Sequence, residues 1–474
     1  MSDSDTQPAP PREGQARAKL TQGSITGHLV GQTLPAIIGV AAIMSIGLVD
    51  AYFIGQLGSD ALAAIAFIFP ISVALSSIGV GVMVGINSVV ARALGEDDPV
   101  RAARRANFGI VFAGLAGIVI GLLLYVLLNP IFALMNAPAH LLPLIREYME
   151  PFALGFPLIL GIMGFNGVLR GQGEARKTSL VSITYAAANW VLDPILITGT
   201  PAFLFGGWQG YGMAGAAYAT IIGYLIGVAM AVWLMRKADI PLNLSLIKDS
   251  HWVDSAGAIM RVAGPAAFSN SINPIGLSIL TALVALQGDA AVAGFGAAGR
   301  LQSFATVPLL ALSGSIGAIV GQNWGAREYG RSRQASLYAF GFCIVWGLGI
   351  AIAMVAFGEW FAYLFTDDAE VVAEFALYLQ IAAWGYAGFG LLIVANGILN
   401  AVDKASYALW QSAARVFLVM LPFAWVLIGS WGSAAVYSAE LAANIFGGLT
   451  GVMLIYWVLS RRAPDTLSAS RAGA

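Results

Sequence analysis

Residues 29–57, LVGQTLPAIIGVAAIMSIGLVDAYFIGQL, hold one charged side chain, Asp50, in an otherwise apolar run. A helix rises 1.5 Å per residue, so about 20 residues cross a ~30 Å hydrocarbon core and this run is long enough to span a bilayer. It is too long for a signal-peptide core and lacks a small-residue cleavage pattern after it, so it is expected to stay attached. Eleven more apolar runs follow, at 62–90, 107–128, 149–169, 178–198, 212–235, 262–286, 290–321, 335–357, 375–399, 407–429 and 432–459. Their length and continuity suit helices rather than the alternating strands of a membrane barrel. The gaps are short and polar, leaving no room for a separate soluble domain.

Composition agrees with the spans. Of 474 residues, 58% are hydrophobic and 10% charged, and the mean hydropathy is +0.79, which no soluble domain sustains. The net charge of −1 gives no basic field for nucleic acid. The lone cysteine, Cys343, rules out an internal disulfide framework, and His28, His140 and His251 are too scattered to suggest a metal centre. No phosphate-binding loop is present. Gly79-Val80-Gly81 with Gly85 lies inside an apolar helix and reads as a packing stripe, not a nucleotide fingerprint. Asp97-Asp98 and Asp367-Asp368 fall on opposite sides of the membrane and cannot share a two-metal site. The expectation is therefore a non-enzyme without a cofactor.

The basic residues set the orientation. Arg12, Arg17 and Lys19 precede the first span, and Arg92, Arg101, Arg104 and Arg105 lie between the second and third. Other clusters are Arg170, Arg176 and Lys177; Arg236, Lys237, Lys248 and Arg261; Arg327, Arg331 and Arg333; Lys404; and Arg461, Arg462 and Arg471. All fall on one side, against Arg146 alone on the other, with Arg300 and Arg415 inside spans. The positive-inside rule makes that side, and both termini, cytoplasmic. The expected organisation is a disordered tail over 1–20, an N-terminal lobe over 21–235, an interfacial connector over 236–261, a C-terminal lobe over 262–459 and a tail over 460–474.

The chain matches itself when shifted by 230 residues: Pro35 meets Pro265, Gly58 meets Gly288, Gly95 meets Gly325, Tyr148 meets Tyr378, and Asn166-Gly167-Val168-Leu169 meets Asn396-Gly397-Ile398-Leu399. The last spans match at 220, where Gly212 meets Gly432. Each copy has six spans, so both enter from the same side and are related by a pseudo-two-fold axis along the membrane normal. That architecture is common among transporters that rock about a site between lobes.

Three acids lie inside spans, Asp50, Asp193 and Glu440. Each costs on the order of 2.5–3.5 kcal/mol at a helix centre and needs water, a partner or a function. Counted from the outer ends of their spans, Asp50, Asp193 and Thr220 sit roughly 8–12 Å deep, so they can meet. Asn189 precedes Asp193 by four residues and shares its helix face. Oxygen donors of this kind suit a proton or Na⁺ and not a soft metal. Two carboxyls out of water readily share a proton, and a purely structural role is the competing reading. Glu440 aligns with Thr220, and Arg300 is within reach for an ion pair, favoured over a substrate contact; Arg415 has no evident partner. Pro35, four turns before Asp50, permits a fixed bend or a hinge.

The segments Val49-Asp50-Ala51-Tyr52-Phe53-Ile54-Gly55-Gln56-Leu57-Gly58, Asn189-Trp190-Val191-Leu192-Asp193-Pro194 and Gly212-Met213-Ala214-Gly215-Ala216-Ala217-Tyr218-Ala219-Thr220 resemble motifs of the multidrug and toxic compound extrusion (MATE) transporters, DinF-type branch. Gly23-Ser24-Ile25 and Ala61-Leu62-Ala63-Ala64 belong to the same pattern, which covers essentially the whole chain. The resemblance implies an antiporter of the bacterial inner membrane, working as a monomer, in which H⁺ or Na⁺ entry drives export of organic, often cationic, compounds. It places the cation-linked cluster at Asp50, Asn189, Asp193 and Thr220. The NorM-type branch carries acids in spans 7 and 10, where this chain offers Asn270 and Asn273 and no core acid. The stretch from Thr198 to Tyr211 is longer than the pattern implies. An alternative function is a lipid-linked precursor flippase, which would call for a more cationic chamber. A membrane-embedded prenyltransferase would need an Asp-rich Mg²⁺ site, and none is evident.

Overall fold

A backbone crossing hydrocarbon must satisfy its own N–H and C=O groups, and the apolar runs do so as helices. The computed structural model describes residues 18–200, 207–247 and 251–461. Among these, twelve helices are long and apolar enough to cross a membrane. They are α1 (Ile25–Gly55), α2 (Ser59–Gly95), α3 (Pro99–Leu134), α4 (Leu142–Gly171), α5 (Ala175–Thr198), α6 (Met213–Met235), α7 (Trp252–Ala285), α8 (Asp289–Gly325), α9 (Tyr329–Ala356), α10 (Ala369–Ala401), α11 (Ala405–Trp431) and α12 (Ser433–Ser460). A short helix, Gly358–Tyr363, lies between α9 and α10. No strand occurs among the described residues. The chain is an all-α, multi-pass membrane protein of two six-helix lobes. Local chemistry sets several helix starts: Asp98 accepts the Arg101 N–H at 2.8 Å beside Pro99, and Asp368 caps α10 through Glu370 and Val371.

The duplication is visible in the backbone. Gly58 and Gly288 precede α2 and α8 with φ of 117° and 116°. Asp97 and Arg327, at 56° and 60°, adopt the left-handed conformation after α2 and α8, as do Gly173 and Asp403, at 77° and 62°, after α4 and α10. Gly212 and Gly432 share a φ of 58°. Both α5 and α11 widen into a π turn, at Pro194–Thr198 and Ala414–Met420. Such turns release backbone groups from the regular ladder and are frequent at functional sites.

The lobes join in the halves that carry the basic residues. Gly81 and Gly85 of α2 admit Ala263 and Ala267 of α7; a Cβ on Gly81 would stand 2.6 Å from that of Ala267. Gly95 faces the Gln322 carbonyl, and its counterpart Gly325 faces the Arg92 carbonyl. Arg92 Nη1 donates to Ala401 O at 3.0 Å, and, 230 positions later, Gln322 Nε2 donates to Gly171 O at 2.9 Å. The pseudo-two-fold axis therefore passes through this seam. In the opposite halves each lobe keeps its own core, one built from Ile54 to Ala217 and one from Ile272 to Ala443, with no buried residue shared between them.

Two expected boundaries need correction. The residues just before α1 are ordered: Leu20 is 2% exposed, its N–H donates to Gln322 Oε1 at 3.0 Å and its carbonyl accepts from Asn323 Nδ2 at 3.0 Å. Lys19 bridges Glu174 and Asp239, both at 2.7 Å, so this strap ties the first lobe to the second. Burial pushes the Lys19 ammonium down, but the Asp239 and Glu174 carboxylates outweigh it and the net shift is upward. Burial likewise raises Glu174, while Lys19 and Lys177 bring it below its ordinary value. Lys19 thus keeps its charge further up the pH scale and Glu174 further down, so the strap stays paired across the neutral range. The connector is also shorter than expected, because α7 begins at Trp252 and takes in Arg261. Arg12, Arg17, Lys248, Arg462 and Arg471 lie outside the described residues.

Candidate functional site

Tyr185, Asn189 and Asp193 follow one another at four-residue spacing and so share a face of α5. That face is buried, with Asn189 2% and Asp193 0% exposed, while Trp190 and Val191 point outward. Asn189 Nδ2 donates to Asp193 Oδ1 at 3.1 Å. The half-buried Asp50 of α1 lies close enough to Asp193 and Asn189 to interact with both. Asp50, Asn189 and Thr220 line a cavity of about 240 Å³ together with Ser72, Ser76 and Tyr224. The four predicted residues are brought together by three helices, α1, α5 and α6.

The cluster has an excess of acceptors. Asp50 Oδ1, Asn189 Oδ1, Asp193 Oδ2 and Thr220 Oγ1 are all buried without a hydrogen-bond partner. Two ionised carboxylates can only accept, so their contact calls for a proton between them or a cation beside them. An oxygen-only set of this kind can hold H⁺ or a hard cation such as Na⁺.

Tyr185 and Tyr224 line the same cavity and are absent from the expected set. Tyr185 precedes Asn189 by four residues and Tyr224 follows Thr220 by four, so face-sharing could have found both. The two rings stack at a centroid distance of 4.9 Å. Pro35 sits in the basic half of α1, which continues as helix through it, and its carbonyl accepts from Ser179 Oγ at 2.6 Å.

The second lobe holds a counterpart cavity of about 110 Å³, lined by Asn273, Gln302, Thr306, Phe389, Arg415 and Glu440. Thr306, Phe389 and Glu440 occupy the repeat positions of Ser76, Ile159 and Thr220, which line the first cavity. The expected Arg300–Glu440 pair does not form. Glu440 instead accepts from Gln302 Nε2 at 2.7 Å and Tyr378 OH at 2.9 Å. Gln302 follows Arg300 by two residues, about 200° around a helix, which leaves Arg300 exposed on the far side. Asn270 is exposed and bonds its own helix at Ala266. Asn273 accepts from Arg415 Nη1 at 2.8 Å, and Asn444 from Nη2 at 2.6 Å.

A two-lobe, twelve-helix membrane protein with a polar cavity in each lobe has the form of a secondary transporter. The MatE family model matches residues 35–195 and again 265–426, the same unit twice at the 230-residue offset, and the chain belongs to this MATE family of transporters, whose members are not enzymes. It is 30% identical over 456 residues to a protein of Shewanella oneidensis named FAD transporter, covering 96% of this chain and 99% of that one. It is 28% identical to YpnP of Bacillus subtilis, named a probable multidrug resistance protein, over 87% of this chain and 90% of that one. The solved structure of the Vibrio cholerae MATE transporter VcmN in its bent form superposes with a TM-score of 0.85 at 29% identity, over 92% of this chain and 98% of that one.

Proposed function

We propose that this transporter is a cation-driven exporter of organic solutes, of the DinF-type branch, in which H⁺ or Na⁺ binds at Asp50 and Asp193. The observation that carries the reading is the contact of two intramembrane carboxyls surrounded by unpartnered acceptor oxygens. Asn189 holds Asp193 in place, and Thr220 supplies a further oxygen from α6. Cation entry from the outer side neutralises the pair, α1 adjusts about Pro35, and the solute leaves outward. The side carrying the strap and the basic residues is the cytoplasmic side of the bacterial inner membrane. The chain acts as a single copy. Relatives named for multidrug resistance and for FAD transport support organic cargo, either drugs or a flavin dinucleotide.

The test is efflux from proteoliposomes, with pH and Na⁺ gradients imposed separately and with ethidium and FAD as cargo. One proton exchanged per cargo molecule carries about 1.4 kcal/mol per pH unit, enough for a cargo gradient of about tenfold, aside from any membrane potential. Accumulation driven by one of the two gradients is expected. Equal rates with and without either gradient would overturn the antiport reading.

A further inference from the structure

The two cavities differ in what they lack. Around the first cavity the unpartnered buried atoms are the acceptor oxygens of Asp50, Asn189 and Asp193, together with the hydroxyls of Thr220 and Tyr185. In the second, Arg415 lines the cavity at 3% exposure with its Nε–H donating to nothing, although both terminal nitrogens are held. Asn273 and Asn444 fix the guanidinium without neutralising it, and the Phe389 ring lies 5.4 Å from its centre. The Glu440 carboxylate on the same wall is engaged by Gln302 and Tyr378 and makes no ion pair with the arginine. A buried cation inside a bilayer with no carboxylate in contact is costly, and an anion in the cavity would relieve that cost. A space of about 110 Å³ is too small for a whole organic cargo molecule but suits one of its substituents.

We infer that this cavity is a second ligand site, where Arg415 takes the anionic oxygens of a phosphate or carboxylate group on the transported solute. The inference rests on the reading of the chain as a carrier of organic solutes and narrows the cargo to molecules with an anionic substituent. The first-lobe cavity would hold the cation while the second holds the anion, so each lobe contributes one charge to the exchange.

Binding to the purified full chain in nanodiscs tests this apart from transport, with the fluorescence of riboflavin and riboflavin 5′-phosphate as probes that differ only in the phosphate. The wild type should bind the phosphate form about tenfold more tightly or better, the range of a hydrogen bond to a charged group. Arg415→Gln should reduce that ratio to near one. Glu440→Gln, which removes the nearby negative charge, should raise the preference for the phosphate form over riboflavin several-fold, which keeps the test open if the arginine variant does not fold. Inorganic phosphate should displace the phosphate form, and the preference should be the same in phosphatidylcholine and phosphatidylglycerol discs. Equal binding of both flavins by the wild type, an unchanged preference in Arg415→Gln, or loss of the preference in phosphatidylglycerol, which would assign the cavity to a lipid headgroup, would each overturn the inference. If gradient-driven efflux fails while the arginine-dependent preference persists, the antiport reading falls and the site stands.

Discussion

Replacing Asp50 by asparagine is expected to abolish uphill transport while leaving the protein folded. In proteoliposomes with a pH or Na⁺ gradient, the wild type should accumulate cargo up to about tenfold per pH unit for one-to-one exchange, and Asp50→Asn should reach no more than the equilibrium distribution. Asp193→Asn should behave the same way, because in the proposed cycle the two carboxyls share one cation. For that reason the double variant should be no worse than either single one, a failure of additivity expected of groups that act as a unit. Stability should move in the opposite direction. Two carboxylates in contact inside a bilayer cost free energy, and asparagine is nearly isosteric, so the thermal midpoint should hold or rise. If the cluster were only structural, the midpoint would fall and driven accumulation would survive in whatever protein remained folded.

Valine at Gly95 should prevent closure of the basic side. A Cβ there points into the Gln322 carbonyl and stands 2.9 Å from the Ala326 backbone nitrogen, and backbone atoms of a facing helix cannot turn aside as a side chain can. Overpacking of this kind costs about 1–3 kcal/mol, which shifts an open–closed equilibrium roughly 5- to 150-fold. The change can be read with a cysteine at Ser88, whose hydroxyl is 2% exposed and donates across the seam to Asn400 O at 2.6 Å. The native Cys343 is buried and contributes little background. Maleimide labelling of Ser88→Cys should be at least tenfold faster when Gly95→Val is added, and transport should fall in parallel. Gly114→Val, where a Cβ would meet nothing within 4 Å, is the control and should leave labelling unchanged. Unaltered labelling in Gly95→Val would mean that this seam is not what shuts the basic side.

Much of this architecture is legible in the residues themselves. Hydrocarbon allows only backbone-satisfied spans, so apolar length alone marks the helices. The duplication shows at Gly58 and Gly288 because a left-handed φ is open to glycine and rarely to other residues. Depth and four-residue spacing suffice to bring Asp50, Asn189, Asp193 and Thr220 near one another because all four lie in regular α-helix, ahead of the π turn of α5.

Depth carries no azimuth, and this is why the expected Arg300–Glu440 pair does not form. Both lie at the right level, but Gln302 holds the face that Arg300 would need. The partners of Arg415 were hidden for another reason: Asn273 lies 142 positions away and Asn444 lies 29 away, and the π turn at Ala414–Met420 shifts the arginine around its helix in a way no regular period anticipates. The strap at Lys19 and Leu20 is short and polar in composition. Its order comes from Gln322, Asn323, Arg331, Glu174 and Asp239 and from burial of Leu20 in the core, all supplied by residues distant in sequence.

In the proposed cycle, cargo release is tied to a cation held between Asp50 and Asp193. Its most direct test is the equilibrium affinity for cargo, measured on the purified protein as a function of pH and of Na⁺. Coupled binding is reciprocal, so wild-type affinity should fall several-fold either on acidification or on addition of Na⁺, and the Asp50→Asn, Asp193→Asn double variant should respond to neither. A double variant that still loses cargo affinity with the same cation, by the same factor as the wild type, would contradict the account.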